Sequence, residues 1–128
     1  MKILKTLLLS CIACLAPIQA MIIAAGIVIF ADLVTGIMAA KKKGEKITSG
    51  GLRRTITKMF VFESAIILGF IIEKYLMGGS FPISKIASGL IAAVEAKSIL
   101  ENLDVIYGGD LFKSLISKLG SINDTKKE

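Results

Sequence analysis

The chain contains an uncharged stretch that is long enough to cross a bilayer. From Thr6 to Ala31 no residue is Asp, Glu, Lys or Arg, a run of 26 residues, and one membrane-spanning helix needs about 20 apolar residues. Hydrophobic residues make up 54% of the 128 residues and charged residues only 20%. Intrinsic disorder is therefore excluded, because it requires low hydrophobicity. These features predict a single-domain, all-α integral membrane protein.

The positive net charge lies in one connection between hydrophobic stretches. The net charge is +6, and the same excess is found between positions 41 and 58, where Glu45 is the one acid. This placement fits the positive-inside rule and contact with anionic lipid. A nucleic-acid surface would need bases spread over a soluble fold with aromatic or amide readers, so we expect no nucleic-acid partner. The basic residues are Lys41, Lys42, Lys43, Lys46, Arg53, Arg54 and Lys58.

Residues 1–17 form an N-terminal hydrophobic segment that is similar to an export signal. Lys2 and Lys5 precede the apolar residues, and Ala20 offers a small residue at a possible cleavage site. Ile18 stands where cleavage requires a small residue, so an uncleaved helix is favoured. If this helix lies in the interface the N-terminus is outside, whereas if it also crosses the bilayer the N-terminus is inside.

The residues that build common catalytic and metal sites are scarce. The chain has no His, which excludes His-based catalytic triads and the H-E-x-x-H zinc site. Cys11 and Cys14 form a C-x-x-C inside the apolar run, without the context of a redox motif and with too few thiolates to enclose zinc. We interpret both cysteines as apolar packing residues and expect no metal, no cofactor and no enzymatic activity.

Three longer segments are predicted to be transmembrane helices, each about as long as a bilayer is thick. The third could alternatively lie flat in the interface, but its small residues favour a packed transmembrane helix. After it, apolar residues alternate with Lys and Ser at helical spacing, which predicts a short amphipathic helix. The predicted segments are a first helix at 18–40, a basic cytoplasmic loop at 41–57, a second helix at 58–77, a third helix at 83–107 and the tail at 110–128.

Acidic residues interrupt two of the predicted helices. Asp32 shares a helix face with Gly36, and small residues there let another helix approach closely. Two interpretations remain open: a buried contact between helices or subunits, and a position at the headgroup level where the basic loop balances the charge. Glu63 falls about one turn beyond Lys58, and we expect an interfacial ion pair between them. The residues expected in the first contact are Asp32, Thr35, Gly36 and Ala40.

Polar side chains form a line along the third predicted helix. The two ends of the line lie about 27 Å apart at 1.5 Å per residue, close to the thickness of a bilayer. Such a line must face protein or water rather than lipid. It consists of Ser84, Ser88, Glu95, Ser98 and Asn102.

Several of these segments occur in the order seen in a family of phage holins. Asp32–Ala40 resembles the family's D-x-x-T-G-x-x-x-A signature, which is shared with toxin-secretion holins of clostridial type. A basic linker, a Ser/Gly turn and a lysine follow in the family's order, and Ser98–Leu103 resembles its S-I-L-E-N segment, which contains Glu101. The resemblance implies a small phage protein that oligomerises in the host's cytoplasmic membrane and opens lesions. The lesions either let an endolysin reach the cell wall or collapse the membrane potential, and no contact between the endolysin and the holin is required.

Two functions are consistent with the residues themselves. A chain with three spans is too small to enclose a pore, so a membrane-permeabilising oligomer would turn the polar line of several copies inward, to water. Alternatively, the chain is a small membrane subunit that anchors or regulates a cytoplasmic partner through its basic loop. The first would depolarise the membrane on overproduction, whereas the second would leave the membrane potential intact.

Overall fold

The computed structural model describes residues 1–124, which form helices joined by short turns. The helices are α1 Lys2–Leu15, α2 Gln19–Lys43, α3 Ser49–Ile71, α4 Ile83–Tyr107 and α5 Leu111–Asp124. No strand occurs among the described residues, so the all-α prediction is confirmed. Helices α2, α3 and α4 pack against one another as a bundle, and the most extensive contact joins α2 to α4. The last residues of the predicted tail, 125–128, lie outside the described part of the chain.

Two segments are long and apolar enough to cross a bilayer. The first is Lys2–Lys43, in which α1 and α2 follow each other through a 3₁₀ turn at Ala16–Ile18. Pro17 separates the two helices because it lacks the N–H that a continuous α-helix would use. The second is Ser49–Leu76, in which α3 ends in a π-helical turn. Helix α4 carries five charged residues and falls short of this apolarity, so its transmembrane placement stays a prediction.

The connection between α2 and α3 is much shorter than the basic loop predicted at 41–57. Helix α2 continues through Lys43 and ends at Gly44, whose φ of 74° is a left-handed conformation that glycine adopts readily. Helix α3 begins at Ser49, directly after Thr48. The prediction ended each helix with its apolar run, but lysines interact favourably with the dipole at a helix C-terminus and so extend α2. Most of the basic residues therefore lie on helix ends.

The three bundle helices share an apolar core in the half where α2 begins. The core joins the first half of α2 and of α4 to the second half of α3, as expected for helices that alternate in direction. Its members contact one another as one cluster, which indicates that the three helices are packed together rather than merely adjacent. The buried residues of the cluster are Ile18, Ala25, Ile66, Phe70 and Ile91.

The outer faces of the bundle carry large apolar side chains. Phe30 on α2, Phe60 and Leu68 on α3, and Leu90 and Val94 on α4 are all more than half exposed. An extensive apolar exterior is unfavourable in water and marks a surface made for lipid or for another protein. The exterior therefore fits a membrane protein, as the composition predicted.

Helix α1 contacts this core near its C-terminal end, where the partly buried Leu15 packs against the cluster. None of its residues is buried, although Cys14 places its Sγ 2.6 Å from the Oη of Tyr75 in the turn that follows α3. Cys11 and Cys14 are both exposed and are not bonded to each other. Their interpretation as apolar packing residues stays a prediction. The exposed apolar side chains of α1 would be available to lipid or to another protein.

Helices α3 and α4 come close together at Gly69. A Cβ atom at this position would lie 3.2 Å from Ile83 Cγ2 and 3.4 Å from the Ser84 backbone, so a larger residue would force the helices apart. One turn further along, the Glu73 carboxylate accepts hydrogen bonds from the backbone N–H of Ser84 at 3.1 Å and from its hydroxyl at 2.6 Å. These bonds satisfy polar groups at the N-terminus of α4.

We expect Gly69→Leu to lower the free energy of unfolding by about 1–3 kcal/mol, because the added side chain overpacks the contact between α3 and α4. The matched control is Gly89→Leu on α4, where an added Cβ meets nothing within 4 Å. Denaturant titration in detergent micelles, followed by circular dichroism, measures both variants. Equal losses in the two variants would contradict the close approach at Gly69.

Candidate functional site

An ammonium group lies between two carboxylates from different helices. Lys58 on α3 donates hydrogen bonds from Nζ to Oδ2 of Asp32 on α2 at 2.8 Å and to Oε2 of Glu95 on α4 at 2.7 Å. The exposed fractions of the three side chains are 26% for Lys58, 15% for Asp32 and 0% for Glu95. We call these residues the ion triad. Glu95 is the central residue of α4 and Asp32 lies next to the centre of α2, so the ion triad crosses the bundle at mid-length.

Asn102 extends the ion triad toward the C-terminal end of α2. Its Nδ2 donates to Oδ1 of Asp32 at 3.3 Å and to Oγ1 of Thr35 at 3.2 Å. A Cβ atom at Gly36 would lie 3.6 Å from the same Nδ2, so a larger side chain would compete with the amide for space. The side chain of Ser98 lies near Asp32, and both residues line the same cavity. The polar network, as we call the ion triad with Thr35, Ser98 and Asn102, joins all three bundle helices.

The D-x-x-T-G pattern thereby has a local physical explanation. Asp32 accepts from α3 and α4, and Thr35, one turn later on the same face, accepts from Asn102. The Thr35 hydroxyl donates back to the carbonyl oxygen of Ala31 at 3.0 Å or to that of Asp32 at 3.1 Å, which leaves its oxygen free to accept. Gly36 has no side chain and so leaves space for the amide of Asn102. These contacts lie within one chain, and a contact of the same residues between chains stays a prediction.

The polar network is not electrically balanced. Two carboxylates face one ammonium group, and Oε1 of Glu95 is buried without a hydrogen-bond partner among the described residues. A buried polar atom that lacks a partner costs about 1–3 kcal/mol. Breaking a buried ion pair is also costly, because the remaining charge is left uncompensated. The polar network therefore holds the helices together, but the unpartnered Oε1 of Glu95 makes it less stable than a fully hydrogen-bonded network would be.

The expected ion pair between Lys58 and Glu63 is wrong. Five residues of a helix turn through about 140° relative to the starting face, so the two side chains leave α3 in different directions. Glu63 instead faces α2, where its Oε1 lies 3.7 Å from the position of a Cβ on Gly26. Its Oε2 is buried and has no hydrogen-bond partner among the described residues. The prediction considered neighbours along α3 and not carboxylates on other helices.

The predicted polar line of α4 faces α2 and α3 of the same chain. Ser84 is buried against Glu73, and the hydroxyl of Ser88 lies 3.6 Å from Sδ of Met21 and 3.0 Å from the carbonyl oxygen of Lys85. The remaining members of the line belong to the polar network. In this state the line is hidden from lipid by helix packing. The members found in the polar network are Glu95, Ser98 and Asn102.

The basic residues divide into two groups. Lys58 was predicted to face anionic lipid with the others, but it points into the bundle, because Asp32 and Glu95 are available there. The others are exposed at the end of the bundle where α2 meets α3, and Lys42 also donates to the carbonyl oxygen of Ile106 at 3.0 Å. We call this end the basic end. Its exposed members are Lys41, Lys42, Lys43, Lys46, Arg53 and Arg54.

Glu101, which the sequence singled out as part of a motif, lies outside the polar network. Its Oε1 is 3.3 Å from Nζ of Lys97, one turn earlier on α4, and both side chains are more than half exposed. An exposed pair of this kind contributes less than about 1 kcal/mol. Gly26 and Glu73 were not predicted as contributors to the bundle, since no pattern within α2 or α3 distinguishes them.

Comparison with known proteins identifies one family. The sequence model of the bacteriophage holin family matches residues 10–124. The matched range contains the whole of α2, α3 and α4 and therefore every residue of the polar network. No curated protein and no solved structure matches the chain.

We expect Lys58→Met to lower the free energy of unfolding by about 3 kcal/mol, because Asp32 and Glu95 would lose their shared counter-charge inside the bundle. The matched control is Lys97→Met, which removes the exposed pair with Glu101 and should cost less than about 1 kcal/mol. Denaturant unfolding in mixed micelles at neutral pH measures the free energy of unfolding of both variants. If the two variants were equally stable, the ion triad would not hold the bundle together.

Proposed function

The chain belongs to the bacteriophage holin family, and we propose that it oligomerises in the host's cytoplasmic membrane and opens lesions through which an endolysin reaches the cell wall. Family membership gives the general role, which is membrane permeabilisation during phage lysis rather than enzymatic catalysis. The observation that supports the specific proposal is the polar network. It lies at mid-length in helices whose outer faces are apolar.

A single bundle offers no path for ions or proteins. Ile29 and Ile66 have an exposed fraction of 0%, so the interior of the core half is filled. Several copies are therefore needed to surround an opening. In such an oligomer the polar line of α4 would turn from its partners in α2 and α3 toward water. Ser84, Ser88, Glu95, Ser98 and Asn102 remain our candidates for the lining of the lesion.

The polar network provides a reason for delayed opening. Its polar groups are largely satisfied in the closed bundle, and water would satisfy them in an open lesion. Between the two states they would face lipid or unmatched protein, where unpaired polar groups are expensive. The cost of this intermediate favours an abrupt transition, reached when enough copies have accumulated to change together.

The charge distribution orients the proposed membrane topology. The basic end would lie in the cytoplasm, because the cytoplasmic side of membrane proteins carries an excess of Lys and Arg. Helix α3 then leads outward, α4 returns, and the chain crosses the membrane several times. Lipid and further copies of the chain are the partners in contact. The endolysin is a functional partner that follows through the lesion and needs no contact with the chain.

Overproduction in a bacterial host tests permeabilisation directly. We expect potassium leakage and dye-reported depolarisation with or without a co-expressed endolysin, and a fall in culture turbidity when the endolysin is present. A membrane subunit that recruits a cytoplasmic partner to the basic end would leave the membrane potential intact. An intact potential at a level of protein that is verified in isolated membranes would refute the proposal and favour that alternative.

A double substitution in α4 tests the lining role. We expect Glu95→Leu together with Asn102→Leu to insert into the membrane but to delay or abolish lysis, because the opened lesion would present apolar side chains to water. Lysis timing after induction is the readout, and membrane fractionation verifies insertion. The control is Glu95→Gln together with Asn102→Gln, which keeps both positions polar and should retain lysis. Unchanged timing with the leucine pair would argue against the lining role.

A further inference from the structure

A cavity leads from the basic end of the bundle to the polar network. Its volume is about 760 Å³, and it lies between α2, the connection after α2, the start of α3, and α4. On α2 it is lined by Ala40, Gly36 and Asp32, which are spaced four residues apart. At 1.5 Å per residue this wall reaches about 12 Å into the bundle. The cavity therefore extends from the helix ends to the ion triad.

The walls of the cavity are suited to water. Lys46 and Arg54 stand at the exposed end, and Asp32, Ser98 and Asn102 lie at the inner end. Water occupies a cavity when polar groups offer it hydrogen bonds and each molecule has about 30 Å³, and both conditions are met. Apolar side chains line the cavity together with these polar groups, so that water would be held by the polar groups at its two ends. The apolar lining residues with large side chains are Leu33, Ile37, Ile47 and Leu52.

The exposed fractions of the ion triad side chains also decrease from the basic end toward the middle of the bundle. Lys58 and Asp32 retain exposed fractions of 26% and 15%, whereas Glu95 is fully buried. Beyond Glu95, toward the start of α2, most of the large buried side chains are apolar, although Oε2 of the Glu63 carboxylate and Ser84 are also buried there. Ile29, Ile66 and Ile91 have exposed fractions of 0%, 0% and 8%. One half of the bundle thus contains the open cavity, and the other half is packed mainly with apolar side chains.

We infer that this cavity is a water-filled vestibule, open at the basic end and closed at Glu95. The inference rests on the membrane placement proposed above and goes beyond it. Water would already reach the middle of the bundle in the closed state. Opening then requires the displacement of the apolar half around Ile29 and Ile66, rather than hydration of the whole length. The polar network forms the floor of the vestibule.

Variants with a single cysteine test how far water enters the cavity. The background is the full chain with Cys11→Ser and Cys14→Ser, in membrane vesicles of both orientations that still retain a trapped dye. The probe is a charged, membrane-impermeant thiol reagent. Lys46→Cys identifies the side on which the basic end lies. Ala40→Cys and Ser98→Cys report on the vestibule, and the matched control Ala25→Cys reports on the apolar core.

We expect Ala40→Cys and Ser98→Cys to react from the same side as Lys46→Cys and about tenfold faster than Ala25→Cys, since burial in apolar surroundings suppresses thiol reactivity. Equal protection of Ser98→Cys and Ala25→Cys would overturn the vestibule, and so would reaction of Ser98→Cys with a lipid-soluble maleimide alone. Two independent positions in the vestibule keep the test valid if one variant fails to fold.

A further variant separates this inference from the proposed function. Ile27→Cys lies on the outer face of α2, where the parent side chain is 63% exposed, and lipid should shield it from the charged reagent. Rapid reaction of Ile27→Cys would show that the bundle is not embedded, which refutes the membrane placement. Shielding of Ile27→Cys together with protection of Ser98→Cys would refute the vestibule alone and leave the lytic role standing.

Discussion

The contact of one lysine with two carboxylates determines how the three bundle helices face one another. Lys58 reaches α2 through Asp32 and α4 through Glu95, so rotation of any of the three helices would separate opposite charges, of which that of Glu95 is fully buried. The other contacts depend on this arrangement. Asn102 meets Asp32 beside Gly36, and the apolar core lies in the adjoining half of the same bundle. The ion pairs of Lys58 therefore determine which face of each helix points into the bundle. Apolar side chains then fill the adjoining half of the bundle.

The sequence predicted the helices and polar residues of the site better than it predicted which of these residues contact one another. Helix α4 has the limits expected from its polar and apolar pattern, and the spacing of Asp32 and Gly36 indicated a close contact of α2 with another helix. The role of Lys58 was missed, because helical periodicity assigns residues to faces of one helix but carries no information about the rotation of one helix against the next. The same limitation led to the expected pair with Glu63, and helix ends were misplaced where charged residues continue a helix beyond its apolar run.

The polar network is compatible both with a stable closed bundle and with the open lesion of the proposed mechanism. Most of the polar groups that pair within the closed bundle would also tolerate water in the proposed open lesion. The exception in the closed bundle is Oε1 of Glu95, which has no hydrogen-bond partner among the described residues. In the proposed mechanism, the contacts of Asp32, Lys58 and Glu95 would be broken during the transition before water replaces them. Such a barrier would let the chain accumulate in the membrane without premature leakage.

Helix α4 has a distribution of charges that its average hydropathy does not describe. Its charged residues keep it below the apolarity of the other two segments, yet Glu95 is wholly enclosed by α2 and α3. Lipid would meet its outer face, which carries Leu90 and Val94. The exception on that side is the exposed pair of Lys97 with Glu101, which is inexpensive near water and costly in hydrocarbon. A helix with one enclosed carboxylate and one exposed ion pair, besides Lys85 and Asp104 nearer its ends, is thus marginal in lipid by itself. In the proposed mechanism, that marginality is what makes α4 the helix most easily turned toward water.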